Sequence, residues 1–158
     1  MAKKENICNY IHLPIQSGSN KILRKMNRQH TIKEYFQLID SIREILPECG
    51  ISHDMIAGFP TESDQAHQAS FDMIEAAGIT HLHVFPYSPR SGTPAAAMPQ
   101  LSPETIKARA LALRQFGLQR LEEFLDRAVG STDQLLVEMG NRGRGRNFAK
   151  IRLDGVWY

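Results

Sequence analysis

The chain has 158 residues, 42% of them hydrophobic, and a formal net charge of +2, which is enough to bury one ordinary core with a small appendage and excludes a disordered or fibrous chain. No apolar run approaches the ~20 residues that cross a bilayer, no secretion-signal stretch follows the opening Met-Ala-Lys-Lys-Glu, and a charge so near neutrality gives no global argument for nucleic acid. The expected compartment is the cytosol, and Cys8 and Cys49, too far apart for a Cys-x-x-Cys pair, read there as small buried apolar residues rather than as a disulfide.

Residues 10–15 are rich in β-favouring types and predict a buried strand, which Pro14 bends or holds at an edge. The segment Gln16-Ser17-Gly18-Ser19 leaves its end, and Ser19 stands as the cap of a short helix with Ile22, Leu23 and Met26 on one face. Thr31 and Glu34 form a capping box ahead of Ile32, Tyr35, Phe36, Ile39, Ile42 and Leu46, whose three-to-four residue spacing predicts a helix that Pro47 ends. Residues 51–56 predict a second strand interrupted by His53 and Asp54, closed by a sharp turn at Gly58. Thr61 and Asp64 are candidate caps of the next helix, which turns Ala66, Met73, Ile74 and Ala77 inward and stops at Gly78. A third strand is predicted over residues 81–85.

The order β, α, β, α, β argues for parallel strands joined by right-handed crossovers. In such a sheet the loops at residues 16–19, 58–62 and 86–93 open on one rim, where active sites are built. A Pro- and Ala-rich linker over residues 93–99 leads to a long helix opened by Ser102-Pro103-Glu104, with an apolar stripe of Leu118, Leu121, Leu125 and Ala128 and a weak point at Gly117. Beyond Gly130, β-like runs at residues 134–138 and 148–153 flank a Gly/Arg turn and read as the first hairpin of a small β domain. Arg142, Arg144, Arg146, Lys150 and Arg152 are interleaved there with Gly143, Gly145 and Phe148, with no acid among them; the segment is either a phosphate-facing loop or a solvated basic turn. The expected division is residues 1–93, 94–128 and 129–158.

Three stretches carry a family resemblance: His12-Leu13-Pro14-Ile15-Gln16-Ser17-Gly18-Ser19, Asp54-Met55-Ile56-Ala57-Gly58-Phe59-Pro60-Thr61-Glu62, and Phe85-Pro86-Tyr87-Ser88-Pro89-Arg90-Ser91-Gly92-Thr93-Pro94-Ala95-Ala96. In order and spacing they closely resemble the radical S-adenosylmethionine methylthiotransferases that modify adenosine 37 of tRNA. The resemblance implies the last three strands of a six-stranded partial barrel, a linker helix, and the start of the RNA-binding TRAM domain, cut short at Tyr158. It also implies S-adenosylmethionine and two [4Fe–4S] clusters in the full-length parent, a methylthio group added to C2 of an N6-modified adenosine, and the tRNA anticodon loop as partner. The family's Cys-x-x-x-Cys-x-x-Cys loop is absent, so the chain reads as a carboxyl-terminal fragment that does not generate the radical by itself. Residues 6–52 look more like the isopentenyladenosine branch, and residues 79–100 with the Arg-Gly turn look more like the threonylcarbamoyladenosine branch.

The same resemblance implies roles for the loops. Gln16, Ser17 and Ser19 are implied to bond the ribose or methionine part of the cofactor, or else form only a helix-capping turn. Gly58, Phe59 and Glu62 belong to what resembles the adenine-side loop, where the missing side chain of Gly58 admits a base, the alternative being a tight turn with Thr61 as cap. Tyr87 and Arg90 face the mouth through which tRNA enters, as aromatic platform and phosphate partner, unless Arg90 only pins the linker through carbonyl groups. Arg142, Arg144, Arg146 and Lys150 complete the expected RNA contacts. His12, His53, His81 and His83 alternate on strand segments, but isolated strand histidines are more often hydrogen-bonded core or rim residues than ligands, and no metal site is assigned. Two rival classes stay open: a non-catalytic RNA-binding module, and a non-radical α/β enzyme that binds a phosphorylated ligand at the strand ends. A three-stranded sheet with two open edges also predicts self-association.

Overall fold

The computed structural model of the chain describes residues 7–154. The opening segment read for a secretion signal, Asn6 and residues 155–158 lie outside them. Strands β1 (Tyr10–His12), β2 (Gly50–Ala57) and β3 (His81–Pro86) alternate with helices α1 (Asn20–Lys25), α2 (Ile32–Ile45) and α3 (Asp64–Ala76), and the strands form one parallel sheet in the order β1-β2-β3. β1 is shorter than the propensities predict because Pro14 has no N–H to give. The ladder continues past it: Leu13 N donates to the Ser52 carbonyl at 2.9 Å, and Gln16 donates to Asp54 at 3.0 Å and accepts from Ile56 at 2.9 Å.

The capping box at Thr31 and Glu34 is formed in both directions, at 3.3 and 2.8 Å. Two caps differ from the prediction. Ser19 occupies the cap position of α1 without a capping hydrogen bond from its side chain. α3 is capped by Ser63, whose hydroxyl accepts from Ala66 N at 3.2 Å, because Thr61 lies in the left-handed region at φ 66° and its hydroxyl takes the Lys25 ammonium instead. Ile22 and Leu23, predicted on one face with Met26, serve two clusters: Leu23 joins the main core, while Ile22 and Met26 pack with Phe59 and Ala66.

Along β2 the period of two sends Ile51, His53, Met55 and Ala57 toward the helices, all 0% exposed. Tyr35 and Ile39 of α2 and Met73 and Ile74 of α3 close over them. His53 is the polar member of this face: its Nδ1–H donates to the Leu13 carbonyl, the Tyr35 hydroxyl donates to its Nε2, and burial draws its pKa down to about 4, which keeps the imidazole neutral.

Helix α4 (Pro103–Ala128) starts at Ser102, which accepts from Thr105 N at 3.2 Å, and runs unbroken through Gly117. Its buried seam is Arg109, Ala110, Leu113, Gly117 and Phe124, not the predicted stripe, and Leu118 is 60% exposed. Gly117 decides the rotation. A Cβ there would lie 2.8 Å from Leu82 Cβ, so only glycine lets the helix come this close to β3. Arg114 of α4 donates to the Val84 carbonyl at 3.0 Å, which covers part of the β3 edge predicted to be open.

Beyond α4, strands β4 (Leu135–Met139), β5 (Arg142–Gly145) and β6 (Lys150–Arg152) form an antiparallel meander. The predicted Gly/Arg turn is therefore the middle strand of three, not the connection of a hairpin. This second sheet meets the first at the amino-terminal ends of its strands. Phe148 stacks on Tyr10 with centroids 4.4 Å apart, Arg146 donates to the Ile7 carbonyl at 3.3 Å, and a Cβ on Gly50 would stand 2.6 Å from the Asn147 carbonyl oxygen. Cys49 is buried as predicted, whereas Cys8 is exposed because it precedes the sheet; both thiols are free. No helix among the described residues is long and apolar enough to cross a membrane.

Candidate functional site

At the carboxyl ends of the parallel strands lies an open cleft of about 520 Å³. Gln16 after β1, Ile56 and Phe59 at the end of β2, and Phe85, Tyr87 and Arg90 at and beyond the end of β3 line it. The three loops thus meet on one rim. Gln16 is a non-glycine residue at φ 77°, a left-handed conformation that the ladder bonds on both sides of its peptide hold in place. Phe59 and Tyr87 meet edge to face with centroids 5.3 Å apart. The Tyr87 hydroxyl is buried and has no hydrogen-bond partner among the described residues. The Arg90 guanidinium bonds no carbonyl among the described residues; the linker is pinned by the Arg90 carbonyl, which accepts from Thr93 Oγ1 at 2.8 Å, and by the Gln100 amide, which donates to Ala95 at 2.9 Å and Met98 at 2.6 Å.

The other loop residues stand behind the rim. Ser17 is 1% exposed, and its hydroxyl accepts from Ser19 N at 3.2 Å, the turn-forming arrangement. Gly58 adopts φ +75°, and the space its Cβ would need is filled by Ile106 of α4 at 2.7 Å, so the missing side chain admits a helix. Glu62 is buried; its carboxylate accepts from Gly58 N at 3.0 Å and from Arg109 Nη1 at 2.8 Å. Burial pushes the Glu62 pKa up and the two hydrogen bonds pull against it. Arg109 also donates to the Glu62 carbonyl at 2.8 Å and to Asp64. It is the residue that loop-by-loop reading misses. Its signal is a charge standing in the inward register of a helix, between Ile106 and Ala110.

The cations of the second sheet divide differently. Arg142 pairs across strands with Arg152, and Arg144 with Lys150, so the period of two puts all four on one face. Gly143 and Gly145 turn to the other face, where a Cβ on Gly143 would lie 2.2 Å from the Leu136 carbonyl oxygen. Arg144 bonds Glu138 at 3.1 Å and lies 4.3 Å over the Phe148 ring. Arg146 leaves the row, donating to Gln134 at 2.9 Å and to Ile7 at 3.3 Å. The row lies at the opposite end of the strands from Tyr87 and Arg90, so the predicted RNA-contacting residues form two separate groups. β2 alone separates those ends by about 23 Å at ~3.3 Å per residue.

A cleft at the carboxyl ends of parallel strands is where α/β sheets place their sites, and known proteins share both fold and sequence with this chain. The Radical SAM superfamily model matches residues 2–74. Coproporphyrinogen III oxidase from Escherichia coli, titled a radical SAM enzyme, superposes with a TM-score of 0.58 at 19% identity, over 71% of this chain and 27% of that one. This chain is similar to curated proteins that are tRNA methylthiotransferases. It is 40% identical over 151 residues to a tRNA-2-methylthio-N6-dimethylallyladenosine synthase of Christiangramia forsetii, covering 94% of this chain and 31% of that protein. It is 40% identical over 154 residues to a threonylcarbamoyladenosine tRNA methylthiotransferase of Rickettsia prowazekii, covering 98% and 37%. The chain thus spans about a third of the length of these curated relatives. An iron–sulfur cluster is held by a set of cysteine thiolates, and Cys8 and Cys49 are the chain's two cysteines. One is exposed; the other directs its thiol at the Gly50 carbonyl at 3.4 Å, and burial raises its pKa. The residues present do not fit a cluster.

Proposed function

We propose that this chain is the carboxyl-terminal part of a radical S-adenosylmethionine tRNA methylthiotransferase, acting in the cytoplasm on the N6-modified adenosine 37 of the tRNA anticodon loop and adding a methylthio group at C2. Both clusters of the parent are held by residues outside this chain, so the chain alone is inactive. The cleft receives the adenosine end of S-adenosylmethionine, which when bound supplies the radical and methyl chemistry of the family. The joined rings of Phe59 and Tyr87 form one apolar wall for the base, and Gln16 bonds the ribose side. Glu62, held by Arg109, keeps the Gly58 turn in shape behind them. Arg90 meets a phosphate or the flipped base at the mouth, while Arg142, Lys150 and Arg152 grip the backbone from a β unit that begins a TRAM-like domain.

The observation that carries this reading is a cleft lined by Gln16, Phe59, Tyr87 and Arg90 from the three strand-end loops in a chain related over nearly its whole length to enzymes of this name. The rival phosphate-binding reading is the weaker one, since among the described residues Arg90 is the one Lys or Arg lining the cleft. Calorimetric titration with S-adenosylmethionine tests the first half: Gln16→Ala weakens binding by about tenfold, the effect of one lost hydrogen bond with a buried partner. Unchanged affinity in that variant, or none in the parent chain, sinks it. Filter binding to tRNA tests the second half, with salt-sensitive affinity expected and its absence at every salt concentration overturning it.

A further inference from the structure

Three side chains of the open sheet face come together from three different strands. Asp54 of β2 lies beside His83 of β3 in register, and His12 of β1 stands one row away, opposite Ser52. His12 Nε2 is 3.3 Å from one Asp54 carboxylate oxygen and His83 Nδ1 is 3.2 Å from the other. The three ligand atoms lie within 4.8 Å of one another. We propose that His12, Asp54 and His83 bind a divalent ion of the zinc and iron class, in a site independent of the cysteine-held clusters.

Two imidazoles and one carboxylate are the donor set that borderline divalent ions take while keeping positions open. Tetrahedral ligand bonds of about 2.0–2.2 Å set donor pairs about 3.3–3.6 Å apart, which the two His–Asp pairs already match, and a movement of the two imidazoles toward each other by about 1 Å closes the site. The exposed imidazoles are free to make it: the His12 and His83 side chains are 41% and 55% exposed. The second ring nitrogen of His12 is already held, 2.7 Å from the Ser52 hydroxyl, the outer-shell hydrogen bond that orients a histidine ligand. Asp54 also lines the cleft, so a bound ion would lie beside the space that Gln16 and Tyr87 share. The neighbouring histidines differ in kind. His53 is enclosed between Tyr35 and Leu13, and His81 bonds Thr80 and packs against Tyr10 and Phe124.

The test is titration of the full chain with Co²⁺, read by its visible absorption, and with Zn²⁺ by calorimetry. One ion per chain is expected, with affinity reduced by more than about tenfold in His83→Ala and in Asp54→Asn and by about 10- to 100-fold in Ser52→Ala, while Cys8→Ser and His81→Asn bind as the parent does. Circular dichroism checks that each variant is folded. X-ray absorption of the Co²⁺ form of the parent chain keeps the test independent of any variant, with imidazole and oxygen scattering and no sulfur expected. The absence of saturable binding, a coordination shell containing sulfur or lacking imidazole, or undiminished affinity in folded His83→Ala overturns the proposal and leaves a hydrogen-bonded His–Asp–His cluster.

Discussion

The parallel sheet buries its polar groups in pairs, Arg109 with Glu62 and Tyr35 with His53, and turns toward its cleft a set of rings and one arginine. The antiparallel sheet does the reverse. It lays Arg142 opposite Arg152 and Arg144 opposite Lys150 on its surface, although like charges directly across a ladder cost stability. A charge is buried in the first region because the fold needs it, and in the second it stays at the surface, where Arg144 meets Glu138 and Arg152 meets Asp154 in pairs of little worth to stability. The contrast separates structural from functional charge, and substitution at each site tests it.

The largest effect belongs to Arg109→Ala, which strands the buried Glu62 carboxylate; a loss of about 3–5 kcal/mol in urea unfolding is expected, and Glu62→Gln in the same chain should recover part of it. A loss under about 1 kcal/mol would mean that the pair does not hold the loop. Gly117→Ala comes next, with about 1–3 kcal/mol lost to the contact with Leu82, visible as a lower Tm. Lys150→Ala and Arg152→Ala should leave stability within about 0.5 kcal/mol and each lower the salt slope of tRNA binding by about one; a large drop in Tm would contradict the contrast at its root. His67 gives a smaller signal. Burial, then the nearby Arg109, lowers its pKa, so the unfolded chain takes up a proton first and stability falls as pH drops below the ordinary histidine value of about 6.5. In His67→Phe the fall in Tm between pH 7 and pH 5.5 should be shallower. The smallest effect is self-association through β4, whose Leu136, Val137 and Met139 are 70%, 53% and 78% exposed. Light scattering should show dimers at high concentration and none in Val137→Lys.

Much of the α/β part is legible in local sequence because its signals are local: the Thr31 and Glu34 capping box, the apolar period of α2, the Pro-first start of α4, and polar loops after each apolar run. The failures share a cause. The seam of α4 depends on how near Gly117 can come to Leu82, a fact of two distant segments. Arg-Gly-Arg-Gly hides a period of two beneath the turn-favouring character of glycine, so β5 reads as a loop. The meeting of His12, Asp54 and His83 depends on strand register, which no single stretch encodes. Ser17 and Glu62 sit in the right loops, yet their burial follows from the helices packed behind them.

Helix α4 carries Arg109 near one end and delivers the chain to the cationic sheet at the other. From Arg109 to Ala128 it runs about 29 Å at ~1.5 Å per residue, clamped at its first turns by Ile106 against Gly58. Any molecule that touches the rim and the row of cations together must bridge a gauge set by helix length, and adding or deleting one turn of α4 would detune that reach while leaving both contact surfaces chemically intact.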